Sequence, residues 1–283
     1  MSQTALSLKQ KDELTLLRPS RGWSTLNLGD LWVYRELIYF LTWRDIKVRY
    51  KQTILGAAWA IIQPLVNMVV LTIIFGNLAK MSTEGIPRPI FTFTALLPWG
   101  LFSKALSDAG RSVLSSRSMI TKIYFPRLII PLSSVLGGVV DFVIQFFIMI
   151  AMMLYYQIMP TSAIWTLPFF ILLALFTALG FGLWLSALNV LYRDVGYILP
   201  FLTQIWLLVT PVAYSAKEVP IKWQLIYALN PMVGVVEGFR WALLGTQNAP
   251  GPVLGISALI SVVILVTGMY YFRRMERTFA DMV

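Results

Sequence analysis

Gln52 to Ala79 is a run of 28 residues without a charged side chain, and the eight residues before it carry Arg44, Lys47, Arg49 and Lys51. At about 1.5 Å rise per residue the run makes a helix of roughly 42 Å, enough to cross a hydrocarbon core of roughly 30 Å with some tilt. It reads as a membrane-spanning helix. Because Lys and Arg collect on the cytoplasmic side of short loops, the basic cluster places the N-terminal end of the chain inside the cell. Composition agrees: 58% of the 283 residues are hydrophobic and 13% charged, with a mean hydropathy of +0.72, where a soluble domain carries about 25% charged residues. No short apolar core followed by a small-residue cleavage site opens the chain, so no cleaved signal peptide is expected. The net charge of +10 sits between apolar segments, where topology and anionic lipid account for it, and nucleic acid is not an expected partner. The sequence holds no Cys and no His, which excludes thiol chemistry, disulfides and His-based metal or acid/base sites.

The chain divides into three stretches. Residues 1–29 form a polar arm, with Pro19, Ser20, Arg21 and Gly22 in it, read as flexible. Residues 30–53 form an amphipathic interfacial helix and a basic turn. With Asp30 as N-cap, Leu31, Tyr34, Leu37, Ile38 and Leu41 share one helical face, while Trp32, Tyr39 and Trp43 suit the headgroup layer. Residues 54–283 form an all-α membrane domain of six spans, expected near Ile54–Leu78, Ile90–Leu106, Leu128–Tyr156, Trp165–Leu188, Val195–Tyr214 and Gly251–Phe272. Pro98 predicts a kink in the second span. A loop over 107–127, with Arg111, Arg117, Lys122 and Arg127, is basic and therefore cytoplasmic. Between spans five and six, residues 215–250 behave differently. The uncharged window from Lys222 to Glu237 has 14 residues, roughly 21 Å as a helix and too short to cross. Asn230-Pro231 splits it, which predicts paired re-entrant or interfacial half-helices on the outer side. This arrangement puts 18 Lys and Arg inside and 5 outside, with both termini cytoplasmic.

Asp141 falls near the middle of the third span. On insertion scales it costs about 2.5 to 3.5 kcal/mol there, so it must find a partner. Either it marks a functional site or it makes a structural hydrogen bond to Ser133, Ser134 or another helix. Glu237 and Arg240, three apart, are placed for a local ion pair. No phosphate-binding motif of the form G-x-x-x-x-G-K-[ST] occurs, so the chain is not expected to hydrolyse ATP by itself.

Several segments resemble one family. Trp43-Arg44-Asp45-Ile46-Lys47-Val48-Arg49-Tyr50-Lys51-Gln52-Thr53, then Leu55-Gly56 and Trp59 through Gln63-Pro64-Leu65, are similar to the opening of type-2 ABC permeases that export polysaccharides, including O-antigen and teichoic acid. Lys122-Ile123-Tyr124-Phe125-Pro126-Arg127, Leu191-Tyr192-Arg193-Asp194-Val195, Asn230-Pro231-Met232 and Phe272-Arg273-Arg274-Met275-Glu276 resemble later segments of that family. The resemblance implies a homodimer in the bacterial inner membrane, bound to two copies of a cytosolic ATPase subunit and moving a lipid-linked glycan outward. It implies no cofactor in this chain, ATP and Mg2+ being held by the partner. It makes the loop with Arg111, Ser115, Arg117 and Lys122 the element seated on the ATPase, and Asn230, Pro231, Glu237 and Arg240 part of a re-entrant region. Aromatic faces stack on sugar rings, so Trp59, Trp99, Phe102, Tyr197, Trp206 and Trp223 are candidates for a translocation path, the alternative being lipid-interface belts or packing. Arg44, Lys47, Arg49 and Lys51 are candidates to meet a lipid pyrophosphate, the alternative being that they only fix orientation. Export of capsule, drugs or lipids remains a competing reading. A membrane glycosyltransferase would need clustered acids or a metal site, and the 13 acids are scattered.

Overall fold

The helix that organises the bundle is the one that the sequence shows least clearly. In a computed structural model that describes residues 28–51, 58–123, 125–192, 194–246, 249 and 251–279, the chain begins with α1 (Leu28–Val33) and α2 (Arg35–Lys51). These are followed by α3 (Ala58–Thr72), which passes into a π-helical turn over Ile73–Leu78, α4 (Arg88–Ser115) and the short α5 (Arg117–Ile120). Then come α6 (Ile129–Tyr156), α7 (Leu167–Leu191), α8 (Val195–Val209), α9 (Ile221–Ala228), α10 (Pro231–Leu244) and α11 (Gly251–Met275). No strand is present among the described residues. Helix α4 lies at the centre and packs on α3, α6, α7, α8 and α10. Its most apolar window is 78% buried, against 11% for α3 and 17% for α11.

Among the described residues, five helical segments are long and apolar enough to cross a membrane: Ala58–Gly76, Arg88–Ser115, Ile129–Tyr156, Ser162–Leu191 and Gly251–Thr278. The expected fifth span, Val195–Tyr214, is shorter than its apolar run. Helix α8 stops at Val209 after 15 residues, about 22 Å. The cause is Pro211: the residue before a proline is pushed out of the α region, and Thr210 is extended at φ −89°, ψ 143°. Pro98 lies inside α4, which remains one helix through it. The 107–127 loop is also corrected at its start, because α4 stays helical to Ser115 and α5 follows almost at once.

The N-terminal helix begins at Leu28, so Asp30 lies within its first turn rather than capping it, and the helix is interrupted at Tyr34. Leu31, Tyr34, Leu37 and Ile38 pack on a second core cluster in which Leu41 is buried. Trp32, Tyr39, Phe40 and Trp43 are exposed on the other side. The basic cluster is not a turn up to Lys51: Arg44, Lys47, Arg49 and Lys51 are all on α2. The expected arm over 1–29 is helical in its last two residues, Leu28 and Gly29, while residues 1–27, the rest of the basic turn with the start of the first span (52–57), Tyr124, Arg193 and residues 280–283 lie outside the described residues.

The short helices α9 and α10 are separated at Asn230-Pro231. Pro231 takes the first helical position, where a missing N–H costs nothing, and the Asn230 side chain accepts from the Met232 amide at 3.1 Å. Helix α10 is buried on α4, α7 and α11, so its backbone ends meet protein.

Close helix approach depends on small residues. A Cβ at Gly180 of α7 would lie 2.7 Å from the Leu265 backbone of α11. Nearby, the Thr177 and Ser261 hydroxyls lie 2.8 Å apart. Since backbone cannot yield as a flexible side chain does, Gly180→Ala forces α7 and α11 apart. The expected cost is about 1–3 kcal/mol, read as a lower midpoint in thermal unfolding of the detergent-solubilised protein.

Candidate functional site

Helix periodicity decides where the basic cluster points. Leu41 is buried, and Asp45 and Arg49 follow at steps of four on the same face of α2. Arg49 is thereby turned into the protein, against α4 and α6. One Nη atom meets Asp141 of α6 at 2.7 Å and the other meets Asp108 of α4 at 2.8 Å. Asp108 also accepts from Lys104 at 3.1 Å, one turn earlier on α4. The Tyr50 hydroxyl donates to the second Asp141 oxygen. Burial and that bond to Asp141 push the Tyr50 phenol up to about 12. Two cations and two carboxylates cancel locally, which lets charge persist beside apolar helices. The partner of Asp141 is therefore on another helix, neither Ser133 nor Ser134.

Arg49, Tyr50, Lys104 and Asp141 of this cluster form one wall of a cavity of about 480 Å³ bounded by α2, α3, α4, α6 and α8, with Asp108 outside the lining. Trp59 and Trp99 line it, as do Gln63 and Asn67 on α3, Ser103 on α4, Gln145 on α6 and Thr203 on α8. Of the six candidate aromatics, only these two tryptophans reach it. Phe102 is fully buried, with its ring edge-on to Trp206 at 4.9 Å. Trp206 packs in the same way on Phe181 and donates to Asn230 at 3.0 Å. Both are packing residues. Tyr197 and Trp223 are exposed elsewhere. The amides of Gln63, Asn67 and Gln145 escaped sequence reading. Gln63 and Asn67 are four apart and so share one face of α3, a signal that was available in the apolar run.

The four basic residues of α2 separate into different environments. Arg44 pairs with its neighbour Asp45 at 2.8 Å, Arg49 is committed to Asp108 and Asp141, and Lys47 and Lys51 are exposed. At the end of α4, Arg111 donates to the Gly196 carbonyl of α8 at 3.2 Å. Ser115, Arg117 and Lys122 are exposed there, beside the exposed side chains of Leu114 and Ile123. At the opposite end of the bundle Arg240, fully buried, pairs with Glu237 at 3.0 Å. It also donates to the Tyr214 and Val212 carbonyls at 3.0 and 2.8 Å, and its guanidinium lies 3.7 Å from the centre of the Phe91 ring.

Residues 36–244 match the family model described as ABC-2 type transporter. The chain belongs to the ABC-2 type transporter family. An O-antigen export system permease protein of Myxococcus xanthus is 29% identical over 259 residues, 90% of this chain and 98% of that protein. A Klebsiella pneumoniae protein of the same description is 26% identical, covering 91% of this chain and 97% of its own. The polysialic acid transport protein KpsM of Escherichia coli is 23% identical over 86% of this chain and 95% of its own. This ABC-2 transporter is therefore a multi-pass membrane protein, similar along most of its length to polysaccharide export permeases.

Replacing Arg49 with Gln leaves Asp108 and Asp141 facing each other without their shared cation. These side chains keep a quarter or less of their surface exposed, and such partly screened pairs are worth less than fully buried ones, so the expected loss is about 1–3 kcal/mol. Asp141→Asn in the Arg49→Gln background restores part of it. A double-mutant cycle on thermal midpoints checks this, and additive losses would show that the two side chains are not coupled.

Proposed function

We infer that this chain is the permease half of an ATP-driven exporter that carries a lipid-linked polysaccharide of the O-antigen kind out of the cytoplasm. The observation that carries the reading is the 480 Å³ cavity. Its lining combines two tryptophans, several amides and hydroxyls, and Arg49, Lys104 and Asp141, whose charges cancel once Asp108, paired with both cations outside the lining, is counted. Indole faces accept sugar rings by apolar contact, and amides and hydroxyls exchange hydrogen bonds with sugar hydroxyls in either direction. A cluster in which each charge is paired lets a neutral polymer slide without being held. The likeness to the named O-antigen export permeases supports the same substrate class. Capsular polysaccharide is the second reading, favoured by the polysialic acid transport relative. The cancelled charges of Arg49, Lys104, Asp108 and Asp141 favour a neutral chain over a polyanion.

In this proposal two copies of the chain sit in the bacterial inner membrane with both termini cytoplasmic. Each is seated on a separate ATPase subunit that binds ATP and Mg2+. The end of α4 and α5 suits that contact, because Arg117 and Lys122 stand in solvent around the apolar Leu114 and Ile123. Arg111 and Ser115, one turn earlier, complete the same face. Lys47 and Lys51, exposed on α2, are placed to meet the phosphate of a carrier lipid as it approaches the cavity, with Arg44 and Arg49 held back by their carboxylates.

Proteoliposomes that contain the permease and its cognate ATPase are expected to move a fluorescent lipid-linked glycan only with ATP, and glycan export without ATP overturns the reading. Reversing charge with Arg117→Glu and Lys122→Glu should weaken ATPase binding about tenfold, the loss of about 1.4 kcal/mol at an interface. Co-purification and titration of the ATPase measure it.

A further inference from the structure

A second cavity, of about 200 Å³, lies at the end of the bundle opposite α5. Its lining comes from several places, the last of them α11 through Val253. Glu84 belongs to the loop before α4 and Lys217 to the link between α8 and α9, while Gln224 and Tyr227 are on α9 and Glu237 is on α10. Val233 and Val253 supply apolar wall. At roughly 30 Å³ per water, the volume holds about six or seven water molecules, room for one small ring rather than a drug-sized ligand.

The polar groups around it are ordered but not used up. Glu84 accepts from Lys217 at 2.7 Å and from Ser215 at 2.6 Å, and each carboxylate oxygen keeps acceptor capacity. Lys217 has further ammonium hydrogens. Glu237 meets Arg240 through Oε1, leaving Oε2 for a ligand. The Tyr227 hydroxyl donates to Tyr214 at 3.1 Å and can still accept, and the Gln224 amide offers both kinds of group. Burial raises the Glu84 carboxyl, yet the bonds from Lys217 and Ser215 outweigh it and hold the group below its usual value. It therefore stays charged at neutral pH.

Charge decides among ligands of this size. Each carboxylate has its own cation, Lys217 for Glu84 and Arg240 for Glu237. The lining itself carries Glu84, Glu237 and Lys217, and Arg240, fully buried and outside the lining, supplies the fourth charge, so neither a phosphate or acidic sugar nor a cation meets an unpaired charge there. What remains is an array of acceptors and donors beside small apolar surfaces, the complement of a neutral polyhydroxy ring. We propose that the cavity bounded by Glu84, Lys217, Gln224, Tyr227 and Glu237 binds one neutral sugar unit at the exit side of the permease. The proposal rests on the polysaccharide-export reading and adds to it a recognition site separate from the tryptophan-lined cavity. A sugar held there while the chain is extruded would oppose backsliding between strokes of the ATPase.

Saturation-transfer NMR on the full-length permease in nanodiscs, with methyl glycosides of mannose, galactose and rhamnose and with N-acetylneuraminic acid as the anionic comparison, tests the site. At least one neutral glycoside is expected to bind, with N-acetylneuraminic acid weaker. Gln224→Ala should weaken that binding about fivefold, as for loss of one hydrogen bond. Val253→Phe, which fills the cavity, should remove the Gln224-dependent part of that binding, any residual signal belonging to the tryptophan-lined cavity. Absence of neutral-glycoside binding overturns the proposal, as does binding that is indifferent to Gln224→Ala and Val253→Phe or that is equally strong for the acidic sugar. ATP-dependent export by the unmodified protein, measured in parallel, separates the two ideas: export without this binding removes the site and keeps the transporter reading, and no export removes the reading itself.

Discussion

Charge cannot be left alone in a lipid-facing bundle, and that constraint shapes this molecule more than any single apolar contact. Arg49 answers it by touching two carboxylates from two helices at 2.8 Å or less. Asp141 is thus neutralised by a helix that precedes the first span, and α2 is tied to both α4 and α6. The same solution recurs at the other end, where Glu237 and the carbonyls of Val212 and Tyr214 surround the buried Arg240. Each pair is costly to desolvate and contributes little net stability, but each fixes one geometry, because an alternative packing would strand a charge. The cavity inherits its neutrality from the first of these clusters.

Much of the architecture was legible because it follows from length and charge. Uncharged runs gave the apolar helices, the proline after Asn230 separated α9 from α10, and three-residue spacing brought Glu237 to Arg240. What the sequence concealed was the hierarchy among helices. Helix α4 has the lowest hydropathy of the five long segments, because Lys104, Asp108 and Arg111 lie along it. Yet it is the most buried, and Lys104, Asp108 and Arg111 each find a partner within the bundle. Hydropathy measures suitability for lipid, and the helix that touches least lipid can do with less of it.

The candidate site shows the same division. Trp59 and Trp99 were visible as aromatics, but nothing local separated them from Phe102 and Trp206, whose rings are consumed in packing. Which aromatic lines a space depends on helices distant in sequence. The inward turn of Arg49 could be read from its spacing to Leu41, whereas its two partners, 59 and 92 residues away, could not. Arg44 to Lys51 looked like four equivalent cations. Folding makes them two committed and two exposed residues, a difference that composition cannot express.

Helix α4 also has a mechanical consequence. It is a single rod from Arg88 to Ser115, about 42 Å long, with the basic end at one face of the membrane and the approach to the small polar cavity at the other. A rod without a joint would transmit a push whole. Pro98 supplies the joint, because it lacks the amide that would bond to the Thr94 carbonyl, and Trp99 is the next residue. A bend at that point swings an indole that faces the larger cavity. The same proline that leaves α4 continuous therefore marks the place where a push along the helix would bend it and change the width of the larger cavity.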